Sequence, residues 1–175
     1  MCAIFGIIGK SDIRLLKKMS KCQIYRGPDH QAFYLNEKLK LSLGMNRLAV
    51  IDKKKGNQPM FSHDGRHLLI FNGAIYNFKE IKKFLQRKIK FKTNSDTEVF
   101  VNSFNYWGIK CFNYFDGMWA AAIYDFKYNS TYLSRDYVGQ KPLFFSHNKN
   151  NLIFSSQING IFEVKNDFKF SEKNA

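Results

Sequence analysis

Cys2, Arg47, Asn72, Gly73 and Asp96 are the side chains and backbone positions whose types could act together on an amide. An unactivated cysteine is only a few per cent thiolate at neutral pH and needs a base or a stabilising field. Cys2 follows Met1 directly, and removal of Met1 is expected because the second side chain is small. That would place a thiol and a free α-amine on one residue. The amine titrates near ~8, against ~10.4 for a lysine, so it keeps a useful free-base fraction without deep burial and serves as the nucleophile's own general base. The alternative is a packing cysteine with Met1 retained. Thioester chemistry also needs donors at the developing oxyanion. Asn72-Gly73 offers a side-chain amide and an N–H without a neighbouring Cβ, although Asn-Gly equally suits a hairpin turn. For an amino-acid substrate, Arg47 could fork the carboxylate and Asp96 could meet the ammonium. Each is otherwise a surface charge or a helix-dipole partner.

The elements that would hold these residues can be read from pattern. Ala3 to Ile8 is an apolar strand with Cys2 at its mouth, and Ser11 and Asp12 can cap a helix carrying Ile13, Leu15, Leu16 and Met19. Gly27 and Pro28 break YRGPDH into a turn. Strands are expected around Ala32 to Leu35 and Leu39 to Val50, the second carrying Arg47 near its end. Leu68 to Phe71 reads as a strand ending at Asn72-Gly73. Asn77 is placed to cap a helix on Ile81, Phe84 and Leu85, and Ser95-x-x-Glu98 has the form of a capping box before a helix burying Phe100, Val101 and Phe104. Four short strands, Met118 to Tyr124, Thr131 to Ser134, Leu143 to Ser146 and Leu152 to Ser155, read as an antiparallel meander. The fold class is α+β, and strand residues apolar on both faces imply two packed sheets flanked by helices.

The 175 residues, 45% hydrophobic, suit one well-buried domain. The first residues lack the pattern of a secretory signal, and no segment approaches the roughly 20 apolar residues of a membrane span. Three cysteines without metal-type spacing argue against a disulfide framework or a zinc cluster, and a cytoplasmic location fits. The net charge of +14 raises a nucleic-acid partner, but the lysines are spread along the chain and no nucleic-acid motif occurs. Neither nucleic acid nor membrane is the expected partner.

MCAIFGIIG, YRGPDH, NRLAVID with GNQPM, NGAIYN, FKTNSDTE, FDGMWAAAIYD and LSRDYVGQKPLFF occur in an order and at intervals that resemble the glutaminase domain of class II glutamine amidotransferases. The QPM and RGPD forms are most similar to those of the asparagine synthetases. The resemblance covers 1–162 and leaves 163–175 as a polar tail. It implies an N-terminal-nucleophile hydrolase fold, two facing antiparallel sheets between helices in an αββα sandwich, and hydrolysis of L-glutamine to glutamate and ammonia. By matching position, it implies Cys2 as nucleophile, Asn72 and Gly73 as oxyanion hole, Arg47 on the glutamine α-carboxylate, Val50 as a backbone contact beside it, and Asp96 on the α-ammonium. Arg26-Gly27-Pro28-Asp29 matches a turn near the active site, read as architectural.

Three departures stand out. The family's NGEIYN reads NGAIYN here, so Ala74 replaces a Glu that contacts the substrate ammonium, and weaker glutamine binding is expected. Tyr25 stands where a His is common. The synthetase half with its ATP-pyrophosphate loop has no counterpart in these residues, and no Gly-rich phosphate loop occurs. No cofactor is therefore expected in this chain, with ATP and Mg belonging to a missing synthetase half or a partner protein. The chain reads as a glutaminase feeding ammonia to asparagine synthesis or a related amidation. The alternatives are a split or truncated asparagine synthetase fragment with little activity of its own, and a basic binding module on the same fold.

Overall fold

The computed structural model describes residues 1–49, 52 and 56–165. Among them the elements run β1 (Ala3–Ile8), α1 (Ile13–Lys21), β2 (His30–Asn36), β3 (Leu41–Arg47), β4 (Met60–Phe61), β5 (His67–Ile75), α2 (Phe78–Leu85), α3 (Asp96–Trp107), β6 (Gly117–Asp125), β7 (Ser130–Arg135), β8 (Phe144–His147), β9 (Leu152–Ser155) and α4 (Ile158–Phe162). Short 3-10 segments lie at Ile24–Arg26 and Gly108–Tyr114. The strands form two antiparallel sheets, one ordered β2-β3-β1-β9-β8 and the other β4-β5-β6-β7.

Strand alternation divides the apolar residues among three cores. Ile4, Leu43, Met45, Leu68, Ile70, Ala120, Ala122 and Phe154 meet between the sheets. The alternate residues Phe5, Ile7 and Ile153 turn outward and pack with Leu16 and Met19 of α1 and Ile161 of α4. On the far side Leu69, Phe71, Ala121 and Ile123 are covered by Ile81 and Leu85 of α2 and by Phe100, Val101 and Phe104 of α3. The result is the four-layer αββα sandwich expected from the sequence.

Four local expectations are revised. Asn72-Gly73 does not end a strand or make a turn: β5 continues to Ile75, because Asn72, Gly73, Ala74 and Ile75 keep register with Ala120, Trp119, Met118 and Gly117 of β6. The four C-terminal strands are not one meander. β7 extends the β5–β6 sheet, whereas β9 pairs with β1 and brings β8 into the other sheet. Asn77 occupies the N-cap of α2 without capping it, since its amide bonds the Tyr114 carbonyl at 2.9 Å and the Asp116 N–H at 3.1 Å. The capping box before α3 is half formed. Ser95 accepts from the Glu98 N–H at 3.2 Å, but the Glu98 carboxylate reaches past Ser95 to the N–H groups of Lys92 (2.7 Å) and Thr93 (2.6 Å).

Candidate active site

The inter-sheet core changes from apolar to polar at one end. Residues alternate along a strand, so Cys2 shares a face with Ile4, Arg47 with Met45, and Asn72 and Ala74 with Ile70. All three faces turn toward the opposing sheet. At this end Cys2, Arg47, Asn72, Gly73, Ala74 and Asp96 line one cavity of about 210 Å³. Of the residues singled out in the sequence, Val50 lies outside the described residues. Tyr25 is 69% exposed and does not line the cavity.

β5 presents two donors there. In its antiparallel ladder with β6, hydrogen-bonded and non-bonded pairs alternate. Phe71, Gly73 and Ile75 therefore share the edge facing away from β6. β4 covers this edge only at Leu68 and Leu69, and side chains take over further along. Gln58 accepts from the Phe71 N–H at 2.6 Å and donates to its carbonyl at 3.1 Å, and Asp96 accepts from the Ile75 N–H at 3.2 Å. The Gly73 N–H between them is taken by no side chain among the described residues. Nor could another residue replace Gly73, because a Cβ would stand 2.0 Å from the Met118 carbonyl oxygen. One position earlier, Asn72 is 2% exposed, and its Nδ2 is buried with no hydrogen-bond partner among the described residues. An unpaired buried donor costs about 1–3 kcal/mol.

The Cys2 thiol is fixed by the segment after β3. The Leu48 N–H donates to Sγ at 3.3 Å, and the thiol lies 3.5 Å from the Leu48 carbonyl. Burial pushes the thiol up from its ordinary range, against the Leu48 backbone, the Met1 ammonium and Arg47. With Met1 in place, then, this is a protonated thiol without an adjacent base.

Arg47, at the end of β3, and Asp96, in α3, bring opposite charges to the cavity and are 5% and 4% exposed. Arg47 donates to the Asn57 side chain at 2.9 Å and to the Asp52 carbonyl at 3.0 Å, which holds its guanidinium in place. Asp96 is the first residue of α3. Burial raises its carboxyl above the ordinary range, opposed by the N–H groups of Ile75, Thr97 and Asp96 itself and by Arg47.

Three further residues belong to the site: Arg26, named in the sequence only as part of an architectural turn, and Gln58 and Lys141, which were not singled out there. Arg26, 8% exposed, donates from Nε to the Cys2 carbonyl at 3.1 Å. The turn it opens is a clamp: a Cβ at Gly27 would stand 2.3 Å from the Asn46 carbonyl, Asp29 donates its N–H to the Arg47 carbonyl at 3.1 Å, and its carboxylate accepts from the Ala49 N–H at 2.8 Å. This turn therefore holds both the nucleophile's backbone and the end of β3. Gln58 braces β5 and reaches Thr97 Oγ1 at 3.3 Å. Lys141 closes the cavity beside Met1. All three sit inside quoted motifs, but what they touch depends on contacts distant in sequence. Cys2, Cys22 and Cys111 are free, and no group of three or more His, Cys, Asp or Glu among the described residues could hold a metal ion. No helix among the described residues is long and apolar enough to cross a membrane.

A glutamine amidotransferase domain model matches residues 1–174. The chain is 37% identical over 169 residues to asparagine synthetase [glutamine-hydrolyzing] 2 of Bacillus subtilis, covering 93% of this chain and 22% of that protein. It is 36% identical over 185 residues to the putative asparagine synthetase [glutamine-hydrolyzing] 2 of Methanocaldococcus jannaschii, covering 94% and 36%. It thus spans about a quarter to a third of the length of these curated relatives. Among solved structures, glutamine phosphoribosylpyrophosphate amidotransferase from B. subtilis, complexed with ADP and GMP, superposes with a TM-score of 0.74 at 18% identity, covering 93% of this chain and 43% of that one. At that identity the likeness carries the fold, the N-terminal-nucleophile sandwich.

Proposed function

This chain belongs to the glutamine amidotransferase family, and from that premise we propose that it hydrolyses L-glutamine through a thioester on Cys2 once Met1 has been removed. The observation that supports this most is a pair of donors on adjacent residues in the cavity that holds the thiol: Asn72 Nδ2, without a partner among the described residues, and the Gly73 N–H, turned away from β6 and taken by no side chain among them. They stabilise an anionic oxygen better than a neutral carbonyl, which is the differential binding that lowers a barrier.

The steps follow from the groups present. The α-amine of Cys2 takes the thiol proton as sulfur attacks the glutamine γ-carboxamide carbon, and Asn72 and Gly73 hold the oxyanion. The protonated amine gives its proton to the leaving nitrogen, releasing ammonia and leaving a glutamyl thioester. Water, deprotonated by the same amine, cleaves that thioester to glutamate and free thiol. Arg47 holds the α-carboxylate, with Val50 as a backbone contact beside it, and Asp96 receives the α-ammonium next to Ala74. The buried, protonated state of the thiol while Met1 remains is the reason the amine is needed. The ammonia passes to a synthetase domain or partner protein that carries out an ATP-dependent amidation, asparagine synthesis being the reading its relatives' names favour.

The deciding measurement is glutamate release from glutamine by chain whose loss of Met1 is verified by mass, beside Cys2→Ala. We expect release by the first and a loss of at least about 10³-fold in the second. Equal rates in the two would overturn the proposal.

A further inference from the structure

Lys141 is an anomaly in this site. It is 8% exposed and lines the cavity, yet the one side-chain partner of its ammonium among the described residues is the Met1 thioether, with Nζ 3.5 Å from Sδ. A thioether is a weak acceptor, and a nearly buried cation is costly to keep without a carboxylate. Asp136 is close in the chain but engaged elsewhere. Its oxygens accept from the N–H groups of Gln140 at 2.8 Å, Lys141 at 3.2 Å and Trp119 at 3.1 Å. Arg135 donates to the Lys141 carbonyl at 2.7 Å and also bonds the Gly139 carbonyl. Both backbone groups of Lys141 are thus tied down, so the loop aims the ammonium at the N-terminus.

The same thioether lies 4.0 Å from Arg26 Nη2. Met1 Sδ is five covalent bonds from the Cys2 nitrogen, a reach of at most about 6 Å, so Lys141 Nζ lies within roughly 10 Å of that nitrogen. Removal of Met1 takes away the partner of Lys141 and turns the Cys2 nitrogen into an amine in the same space. Among the described residues, the charged groups that line the cavity or bond Cys2 are Arg26, Arg47 and Lys141, with Asp96 as the one acid. Arg26 and Arg47 have oxygen partners at 2.9–3.1 Å, whereas the Lys141 ammonium has none among the described residues.

We propose that Lys141 is a positioning residue that holds the Cys2 α-amine in its unprotonated form after Met1 leaves, keeping the general base ready at neutral pH. A nearby cation disfavours a second positive charge, and at this separation in a partly buried site the effect is on the order of one pH unit. The inference rests on the glutaminase reading for the use made of the amine, but not for its titration.

The test follows the amine directly. Protein with selectively ¹³C-labelled cysteine and Met1 removed is titrated by NMR, reading the Cys2 Cα resonance, in wild type, Lys141→Met, Lys141→Gln and Lys141→Arg. The expected result is a midpoint raised by about one unit in both neutral variants and unchanged in Lys141→Arg. The acid limb of glutaminase kcat/KM should move up by the same amount. An unchanged midpoint in either neutral variant that melts like wild type overturns the proposal, as does an equal rise in Lys141→Arg, which would mark a packing effect. A raised midpoint in protein that releases no glutamate leaves the assignment of Lys141 standing and refutes the glutaminase reading instead.

Discussion

Strand β5 carries a buried polar cluster at each end, and the two ends use their donors differently. At its start His67 sits between Asn105 Oδ1, 2.6 Å from Nδ1, and Asp125 Oδ2, 3.2 Å from Nε2. Asp125 also receives two bonds from Arg66, at 2.7 and 3.2 Å, and the Lys127 N–H at 2.8 Å, while Asn105 Nδ2 continues to Asp64 at 3.1 Å. No atom of that cluster is a buried group without a partner. Five residues further along the strand, Asn72 Nδ2 is one. The saturated end spends its polar groups on one another, which ties β5, β6 and α3 together. The unsaturated end keeps donors in reserve, at a cost in stability that a purely structural role would not explain.

Substitutions at the two ends should therefore separate activity from stability. Asn72→Ala removes one of the two donors proposed to hold the oxyanion, and on that proposal glutamine hydrolysis should fall about 10²–10³-fold in kcat. Its melting temperature should stay at or above that of wild type, because an unpaired buried donor leaves with the side chain. Asp125→Ala should do the reverse. It strands His67 and the Arg66 guanidinium and should cost about 3 kcal/mol in urea unfolding, with kcat/KM little changed in the protein that remains folded. Loss of stability in Asn72→Ala together with intact hydrolysis would erase the distinction between the two ends.

The contrast also marks what sequence could and could not reveal. Cys2, Arg47, Asn72 and Asp96 were accessible because each is the right chemical type at the end of a recognisable element, and alternation turns the first three to the inside. Gly73 was named with them as a donor, but the arrangement that keeps its N–H free was not legible. It depends on β5 continuing past Asn72, on the phase of its ladder with β6, and on Gln58 and Asp96 filling the sites on either side. Asn72-Gly73 is locally as good a turn as a strand, and nine residues of register with β6 decide the matter. Likewise the local pattern of the last four strands says nothing about sheet membership, which β1 decides by accepting β9 as its neighbour. Arg26 and Lys141 belong to motifs visible in the sequence, but their contacts with residues 1 and 2 span 24 to 140 positions.

The saturated end also has a pH signature. Burial pushes the Asp125 carboxyl up, but Arg66, the Lys127 N–H and His67 outweigh it and hold it at about 2. A carboxyl near 3.9 in the unfolded chain makes this a contribution fully present above about pH 4 and lost as pH falls through about 2, worth about 2 kcal/mol. Unfolding free energy measured from pH 5 to pH 2 should show that decline in wild type, and Asp125→Asn should flatten it. The same slope in both proteins would place the acid-labile group elsewhere.

The smallest expected effect lies at Ala74, on the same inward face as Asn72 and lining the cavity with Asp96. A Glu at this position would add a second carboxylate for the substrate ammonium. It would also stand near Asp96, whose carboxyl burial already raises, so part of the gain goes to keeping two acids ionised together. The net is about 1 kcal/mol, a KM for glutamine lowered roughly five- to tenfold in Ala74→Glu. That contact exists in the ground and transition states alike, so kcat should not change. The direction of the effect bears on the unsaturated end as a whole. If the cavity orients an amino acid with its ammonium toward Asp96, an added carboxylate at residue 74 strengthens binding. If KM rises or stays fixed, the ammonium lies elsewhere, and Asp96 serves the Ile75 N–H and the start of α3 as a structural acid, like Asp125 at the other end of the strand.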